Sequence, residues 1–448
     1  MTCYDIGKMK NYWIKLFGLT LTLSILAASH VYPAGYDYID ITNPFLKKIP
    51  IAVPYFKPIS TDTATDQLSK KASDLLAETL AFTGYFEILN RKAFLIGPGS
   101  DAAVANVNFH NWTSIGAELL VTGGVLIENN MIEMELRLYD TFKEKLLVGK
   151  RYKGYIDDQR KMIHRFCDEA IYALTGRRGI FDTEIAFVST SSGVKQLYIC
   201  AFDGYNPRRI THTKSITLMP TWSSDGKWIA YTSYARGKPD LYIKLLKEKR
   251  GTIISKTGLN ITPAWQPHEF ALAATLSFSG DPEIYLLTGA GKIIKRLTYN
   301  KGIDVSPAWS PDGKKIAFVS RRSGTPQIYI KDLSTGQVSR LTFQGRYNTQ
   351  PSWSPRGDKL AYSGMENGLN NIFLIGIDGK GPIQLTNNEG DNEAPSWSPD
   401  GNLIVFSSTR EGPSKIYVMT SYGTDQRKLV HMKGQQSEPE WSPRMTDR

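Results

Sequence analysis

Histidines, cysteines and a set of regularly placed aspartates are the side chains of this 448-residue chain from which catalysis or metal binding could be built. A histidine works as a base or ligand only with a second such group at suitable spacing. His110, His164, His212, His268 and His431 have no second His or Cys so placed, and His30 falls in a segment read below as removable. A hydrolase nucleophile elbow needs Gly-x-Ser-x-Gly, which occurs nowhere. Asp312 and Asp400 each stand in Ser-Pro-Asp-Gly, where Pro, Asp and Gly suit the successive positions of a tight turn, so turn formation already accounts for them. Cys167 shares a helical face with Ile163, Ala170, Ile171 and Leu174, as a buried thiol does, and Cys200 lies far from it in the chain. The sequence therefore predicts no catalytic residue, no metal and no cofactor.

Those turns belong to a repeat. Pro-x-Trp recurs at Pro220/Trp222, Pro263/Trp265, Pro307/Trp309, Pro351/Trp353, Pro395/Trp397 and Pro439/Trp441, with tryptophans 43, 44, 44, 44 and 44 residues apart. Each turn should fold the strand ending in Trp back onto a short apolar strand such as Ile316-Ala317-Phe318-Val319, buried on both faces. A third strand (Gln327 to Ile330) and a fourth ending in Leu-Thr (Leu341-Thr342) complete four strands per period, which is a propeller blade. Apolar second strands begin near Ile185, Trp228, Ala271, Ile316, Leu360 and Leu403, which makes six blades. The first lacks a Pro-x-Trp before it, and Trp441 lacks an apolar strand after it. The expected fold is thus a six-bladed all-β propeller whose C-terminal strand forms the innermost strand of the first blade, preceded by an α/β domain.

Residues 1–34 read as an export signal: Lys8, Lys10 and Lys15 precede an apolar run from Leu16 to Ala28, too short to span a bilayer. Cleavage is expected near Ala34, with Ala28 as the other candidate. Its loss lowers the net charge from +11 to +9, a balance that by itself suggests nucleic acid; export and the scatter of basic residues argue for a solvated surface instead. Residues 35–178 show no repeat. Strands are expected at Ile49–Val53, Phe86–Leu89, Leu119–Thr122, Met131–Tyr139 and Leu146–Tyr152, with helices through Leu68–Leu80 and Asp157–Leu174. Residues 179–448 form the propeller. Gly176-Arg177-Arg178-Gly179 joins the two as a hinge or as a packed joint; the sequence accommodates either.

In such a ring the loops from each fourth strand to the next first strand share one face, and the Ser-Pro-Asp-Gly turns occupy the other. The variable face is the expected binding face. Its loops, Thr213–Met219, Thr257–Thr262, Asn300–Ser306, Gly345–Gln350, Asn388–Ala394 and Lys433–Glu438, carry Asn260, Asp304, Arg346, Tyr347, Asn348, Asp391, Asn392, Glu393 and Gln435. That mixture of charges and amides suits a polar peptide or protein surface. A protein-interaction role is the first reading; a periplasmic propeller hydrolase or cell-wall glycan binder on the same scaffold is the second.

The helix Arg160 to Gly176, followed by Gly179-Ile180-Phe181 and the first blade strand, resembles the TolB family, the soluble periplasmic components of the Tol-Pal envelope system, and the resemblance covers nearly the whole mature chain. It implies a non-catalytic, monomeric, periplasmic protein that is not membrane-spanning after signal removal, supports outer-membrane integrity and cell division, and binds no nucleic acid. It implies binding of the peptidoglycan-associated lipoprotein Pal on the pore face, binding of TolA by the mature N-terminal segment, here Tyr38, Ile39, Asp40 and Ile41, and contact with other envelope proteins. Gln266-Pro267-His268-Glu269 and Arg356 depart from the family's turn pattern in the third and fifth units.

Overall fold

The structure, a computed structural model, describes residues 48–95, 107–248, 251–387 and 389–445. The export signal and the segment from Tyr38 to Ile41 lie outside the described residues.

The first part is a mixed sheet with strands in the order β3-β1-β4-β5-β6, where β1 is Ile49–Ala52, β3 Phe86–Ile88, β4 Leu119–Glu128, β5 Met131–Asp140 and β6 Lys145–Tyr155. A short β2 (Lys57–Pro58) pairs with β4. Along β5 the buried Ile132, Met134, Leu136 and Leu138 alternate with Glu133, Glu135 and Arg137, the two-residue period of a sheet covered on one face. Helix α1 (Thr63–Phe82) starts at Asp62, whose carboxylate accepts the Thr65 N–H at 2.8 Å, and buries Ala72, Leu76 and Leu80. Sequence patterning finds both of these elements but not α2 (Phe109–Thr113), which is too short to show a helical period. Helix α3 (Gln159–Thr175) stops at Gly176, which takes the left-handed conformation (φ 71°) and donates to the Tyr172 carbonyl.

Six four-stranded sheets follow, and blade 1 is assembled from both ends of the propeller segment: Gln436–Trp441 pairs with Glu184–Ser189, then Gln196–Ala201, then Arg208–Arg209. Blades 2 to 6 begin at Thr217, Asn260, Asp304, Asn348 and Asn392. These starts precede the expected loop ends by two residues, because each innermost strand runs straight through the residue before its proline. The ladder there slips at a bulge, for example between Val305 and Ala308. The irregular third-unit turn keeps the usual span, Gln266 N–H bonding to Ala271 O, but its left-handed residue is His268 (φ 62°), one position earlier than the glycine of the regular turns, such as Gly313 (φ 68°).

Neighbouring blades are stapled by the tryptophans. The indole N–H of Trp309 donates to Ala264 O (3.0 Å), Trp353 to Ala308 O (3.0 Å), Trp397 to Ser352 O (3.2 Å) and Trp222 to Glu440 O (3.1 Å), so each reaches the Pro-x-Trp of the preceding blade. At the seam, Trp441 turns its indole to Thr183 Oγ1 (2.9 Å) while its backbone N–H takes Ser396 Oγ (2.9 Å). Trp265 Nε1 is buried without a partner.

The α/β part meets blades 6 and 1 on the face bearing the tight turns. Arg160 pairs with Asp203, Lys48 with Asp425 (2.6 Å), the Asn402 amide donates to the Tyr85 hydroxyl, and Arg427 donates to Phe82 O (2.7 Å). One apolar cluster runs through this contact from Leu76, Phe166 and Cys167 to Phe202, Leu403 and Trp441. His164 is packed edge-on against Phe202 (5.1 Å); burial, then the charge of Arg160, push its pKa down to about 4. Cys167 and Cys200 are free, buried thiols.

Trp353→Phe and Trp265→Phe remove the same atoms, but only the first deserts a carbonyl. The first should cost about 1 kcal/mol more in urea unfolding; equal losses would show that the staples contribute nothing beyond packing.

Candidate functional site

The residue ahead of each Pro-x-Trp proline points the chain into the axis of the ring. Met219, Thr262, Ser306, Gln350, Ala394 and Glu438 all have φ between 48° and 53°. Non-glycine side chains avoid this region, a β-branched one such as Thr262 most of all, and a residue before proline normally prefers extended backbone. Six such residues at equivalent positions cost on the order of 1 kcal/mol each and persist because the bulge and the indole staple fix the chain on both sides.

Together with the prolines and tryptophans they line an axial cavity of about 430 Å³. Its polar groups are uneven. Gln350 Oε1 accepts Ser363 Oγ–H (2.7 Å) and the Ala394 N–H (3.0 Å), bridging blades 5 and 6. Glu438 accepts the Met219 N–H across the junction of blades 1 and 2. Both carboxyls of the closing strand, Glu438 and Glu440, are pushed up in pKa by burial, Glu440 to about 7 despite a hydrogen bond with Ser396.

Above the cavity, on the face opposite the tight turns, stands a ring of buried polar residues. Asn260, Asp304, Asn348 and Asn392, expected as partner contacts, are strand residues no more than 2% exposed. Their side chains hold the blades: Asn348 donates to Gln327 Oε1 (2.9 Å), Asn260 to Lys256 O (2.9 Å), Asp304 accepts Arg322 (2.8 Å) and Asn392 accepts Arg410 (3.0 Å). Burial nonetheless raises the Asp304 pKa. Asp391 accepts the Asn370 N–H (3.0 Å) and Glu393 its amide (2.7 Å), tying the 5–6 loop to the hairpin of blade 5, whose strands Lys359–Glu366 and Leu369–Gly376 are the longest of the propeller. Burial and then the charge of Asp391 raise the Glu393 pKa. Arg346, Tyr347 and Gln435 remain exposed.

The sequence is matched by the model of the TolB beta propeller domain over residues 171–445, and by that of the TolB amino-terminal domain over residues 37–147. The chain belongs to the TolB family. It is 55% identical to the Tol-Pal system protein TolB of Desulfosudis oleivorans over 281 residues, 62% of this chain and 64% of that one. To the protein TolB homolog of Chlorobium luteolum it is 43% identical over 251 residues, 56% of this chain and 57% of that one. Both matches span less than two-thirds of the relative's length. The crystal structure of TolB from Acinetobacter baumannii superposes with a TM-score of 0.78 at 28% identity, covering 89% of this chain and 97% of that one.

In this TolB-family chain the exposed residues around the polar ring are apolar more often than the sequence suggested. Tyr299 (71% exposed) and Phe343 (69%) follow Leu-Thr in blades 3 and 4, each with a guanidinium over its ring, Arg296 at 4.8 Å and Arg340 at 4.9 Å. Ile216, Leu259, Tyr347 and Met365 continue this arc across blades 2 to 5, while blades 6 and 1 present Asp391, Glu389 and Gln435. The available signal was the residue after each Leu-Thr, aromatic in two adjacent repeats. Among the described residues, no group of three or more His, Cys, Asp or Glu could hold a metal ion.

The raised Glu440 pKa gives stability a pH dependence. The unfolded carboxyl loses its proton near 4.5 and the folded one near 7; stabilisation is therefore whole below 4.5 and is lost as pH rises to 7, by at most about 3 kcal/mol. Glu440→Gln should equal the parent at pH 4.5 and exceed it in thermal stability at pH 8. A gap independent of pH would refute the assignment.

Proposed function

We propose that this chain is a non-catalytic, monomeric periplasmic component of the Tol-Pal system. In this reading it binds a peptidoglycan-associated lipoprotein on the loop face over the axial cavity, binds TolA through Tyr38, Ile39, Asp40 and Ile41, and supports outer-membrane integrity and cell division. We also infer that residues 35–178 and 179–448 act as separate domains after removal of an export signal. The observation that carries the lipoprotein reading is the loop face itself. The α/β part occupies the turn-bearing face, and the opposite face exposes the arc of Tyr299, Phe343 and Tyr347 beside a polar half. Exposed aromatics backed by arginines and rimmed by polar groups are the composition of an interaction surface. Arg346, Tyr347, Asp391, Glu393 and Gln435 serve as its polar rim, whereas Asn260, Asp304, Asn348 and Asn392 act from beneath by holding the loops in place. The alternating Ile39-Asp40-Ile41 suits backbone pairing with a partner's strand edge. Among the described residues, no helix is long and apolar enough to cross a membrane.

Two measurements test this reading. Phe343→Ala with Tyr347→Ala should weaken binding of the lipoprotein's soluble domain by about thirtyfold or more in calorimetry without moving the thermal unfolding midpoint; undiminished affinity would remove the loop face from the interaction. Deleting residues 36–44 should abolish TolA binding and leave lipoprotein binding intact. A deletion that still binds TolA would reject the assigned segment.

A further inference from the structure

The α/β sheet ends in an open edge. β6 is the longest described strand, 11 residues, and pairs with β5 on one side; among the described residues no strand pairs with its other side. An edge of that length offers about 35 Å of alternating backbone donors and acceptors. Its sequence, Lys145-Leu-Leu-Val-Gly-Lys-Arg-Tyr-Lys-Gly-Tyr155, carries four cations and no acid. Their intramolecular partners are loose. Arg151 stands 3.5 Å from Glu133 and 3.6 Å from Glu135, Lys153 4.0 Å from Glu133, and Lys150 3.7 Å from Glu169 of α3. Arg151 and Lys153 remain 65% and 69% exposed, so each can take a second carboxylate. At the two ends of the strand stand Leu146 and Tyr155, both exposed.

Lysines on an edge normally guard against unwanted pairing. Which pairing they prevent depends on charge. An antiparallel second copy centred on β6 would set Lys150 against Lys150, a destabilising like-charge pair. The same cations attract a strand that brings carboxylates, and the exposed Leu146 and Tyr155 give such a strand apolar contacts that a purely protective edge has no use for.

We propose that the β6 edge is a second docking site, distinct from the propeller's loop face, for an extended acidic segment of a partner protein that adds to the sheet as a strand. Its acidic side chains lie over Arg151 and Lys153 on one face, and the backbone ladder supplies the register.

The test uses the full chain and a synthetic acetylated heptapeptide alternating glutamate with valine, read by amide hydrogen exchange and fluorescence anisotropy. The expected result is slowed exchange confined to the β6 amides, and binding that falls about tenfold between 50 and 300 mM salt. Arg151→Gln with Lys153→Gln, a change at two exposed side chains, should weaken binding by about tenfold with an unchanged circular dichroism spectrum. The charge reversal Lys150→Glu, Arg151→Glu, Lys153→Glu should abolish it. The proposal is overturned by unprotected β6 amides at millimolar peptide, by equal protection from a lysine-valine peptide, or by undiminished binding to the glutamine variant. Concentration-dependent dimerisation that protects β6 without peptide would assign the edge to a second copy and equally overturn it.

Discussion

The propeller depends on one interaction repeated around its axis: the indole of one blade donating to the peptide carbonyl inside the Pro-x-Trp of the blade before it. A neutral hydrogen bond contributes only about 1 kcal/mol net, yet here it acts at the residue where strand pairing resumes after the bulge, as at Ala308 paired with Ala317. The residue before each proline sits in the left-handed region, from Thr262 at φ 48° to Ala394 at φ 53°. Proline removes one donor at that point, and the slipped register leaves the residue before the proline and the proline itself, Ser306 and Pro307 in blade 4, outside the ladder. The staple therefore ties the end of a bulge to the blade that follows it. Trp265, whose indole lacks an acceptor, shows that the ring tolerates one unmade link out of several.

Closure bends this rule at the seam. Trp441 belongs to a strand supplied from the far end of the chain, and it bonds to Thr183 ahead of blade 1 and to Ser396 in blade 6. Apolar burial of Trp441 in the cluster shared with Phe166 and Phe202 adds a further tie, so the last strand is held by the ring and by the packing that continues into helix α3. The closing strand is also the one that carries two half-buried acids whose pKa is raised by desolvation, Glu438 and Glu440. At the corresponding positions the other blades use Met, Thr, Ser, Gln and Ala ahead of the proline. Acid is thus concentrated where the ring is sewn together, and the axial cavity is polarised toward one side.

How much of this was legible in the sequence follows from what each pattern encodes. A 44-residue spacing with Pro-x-Trp and Ser-Pro-Asp-Gly specifies strand order, blade number and closure, because turn chemistry and periodicity are local properties. In the same way, Asp62 and Gly176 mark helix ends. The proposed binding face was legible only in outline. Asn260, Asp304, Asn348 and Asn392 look like loop residues one after another in the sequence, yet the bulge lets strand pairing continue through them and turns their side chains inward. A bulge depends on the pairing of two strands and leaves no mark in a single one. The exposed Tyr299 and Phe343 were missed for the converse reason: an aromatic beside Leu-Thr reads as core, and only the folded structure shows that each ring stays in solvent beneath or beside its arginine.

In the proposed reading, stability and recognition occupy different layers of the same loops. The inner layer is the polar ring, where Asn348 grips Gln327 and where Arg322 and Arg410 reach inward to Asp304 and Asn392. Removing such a buried partner costs the desolvation of whatever it leaves behind, so these positions are bound to the fold. The outer layer makes few contacts within the chain: Phe343 touches a guanidinium, and Tyr347 contributes to the architecture through its carbonyl, which accepts the Met365 N–H at 2.9 Å. Its side chain is free of that duty. Residues of the outer layer can vary at little cost to the ring, because the backbone beneath them is positioned by amides and carboxylates that never reach the surface.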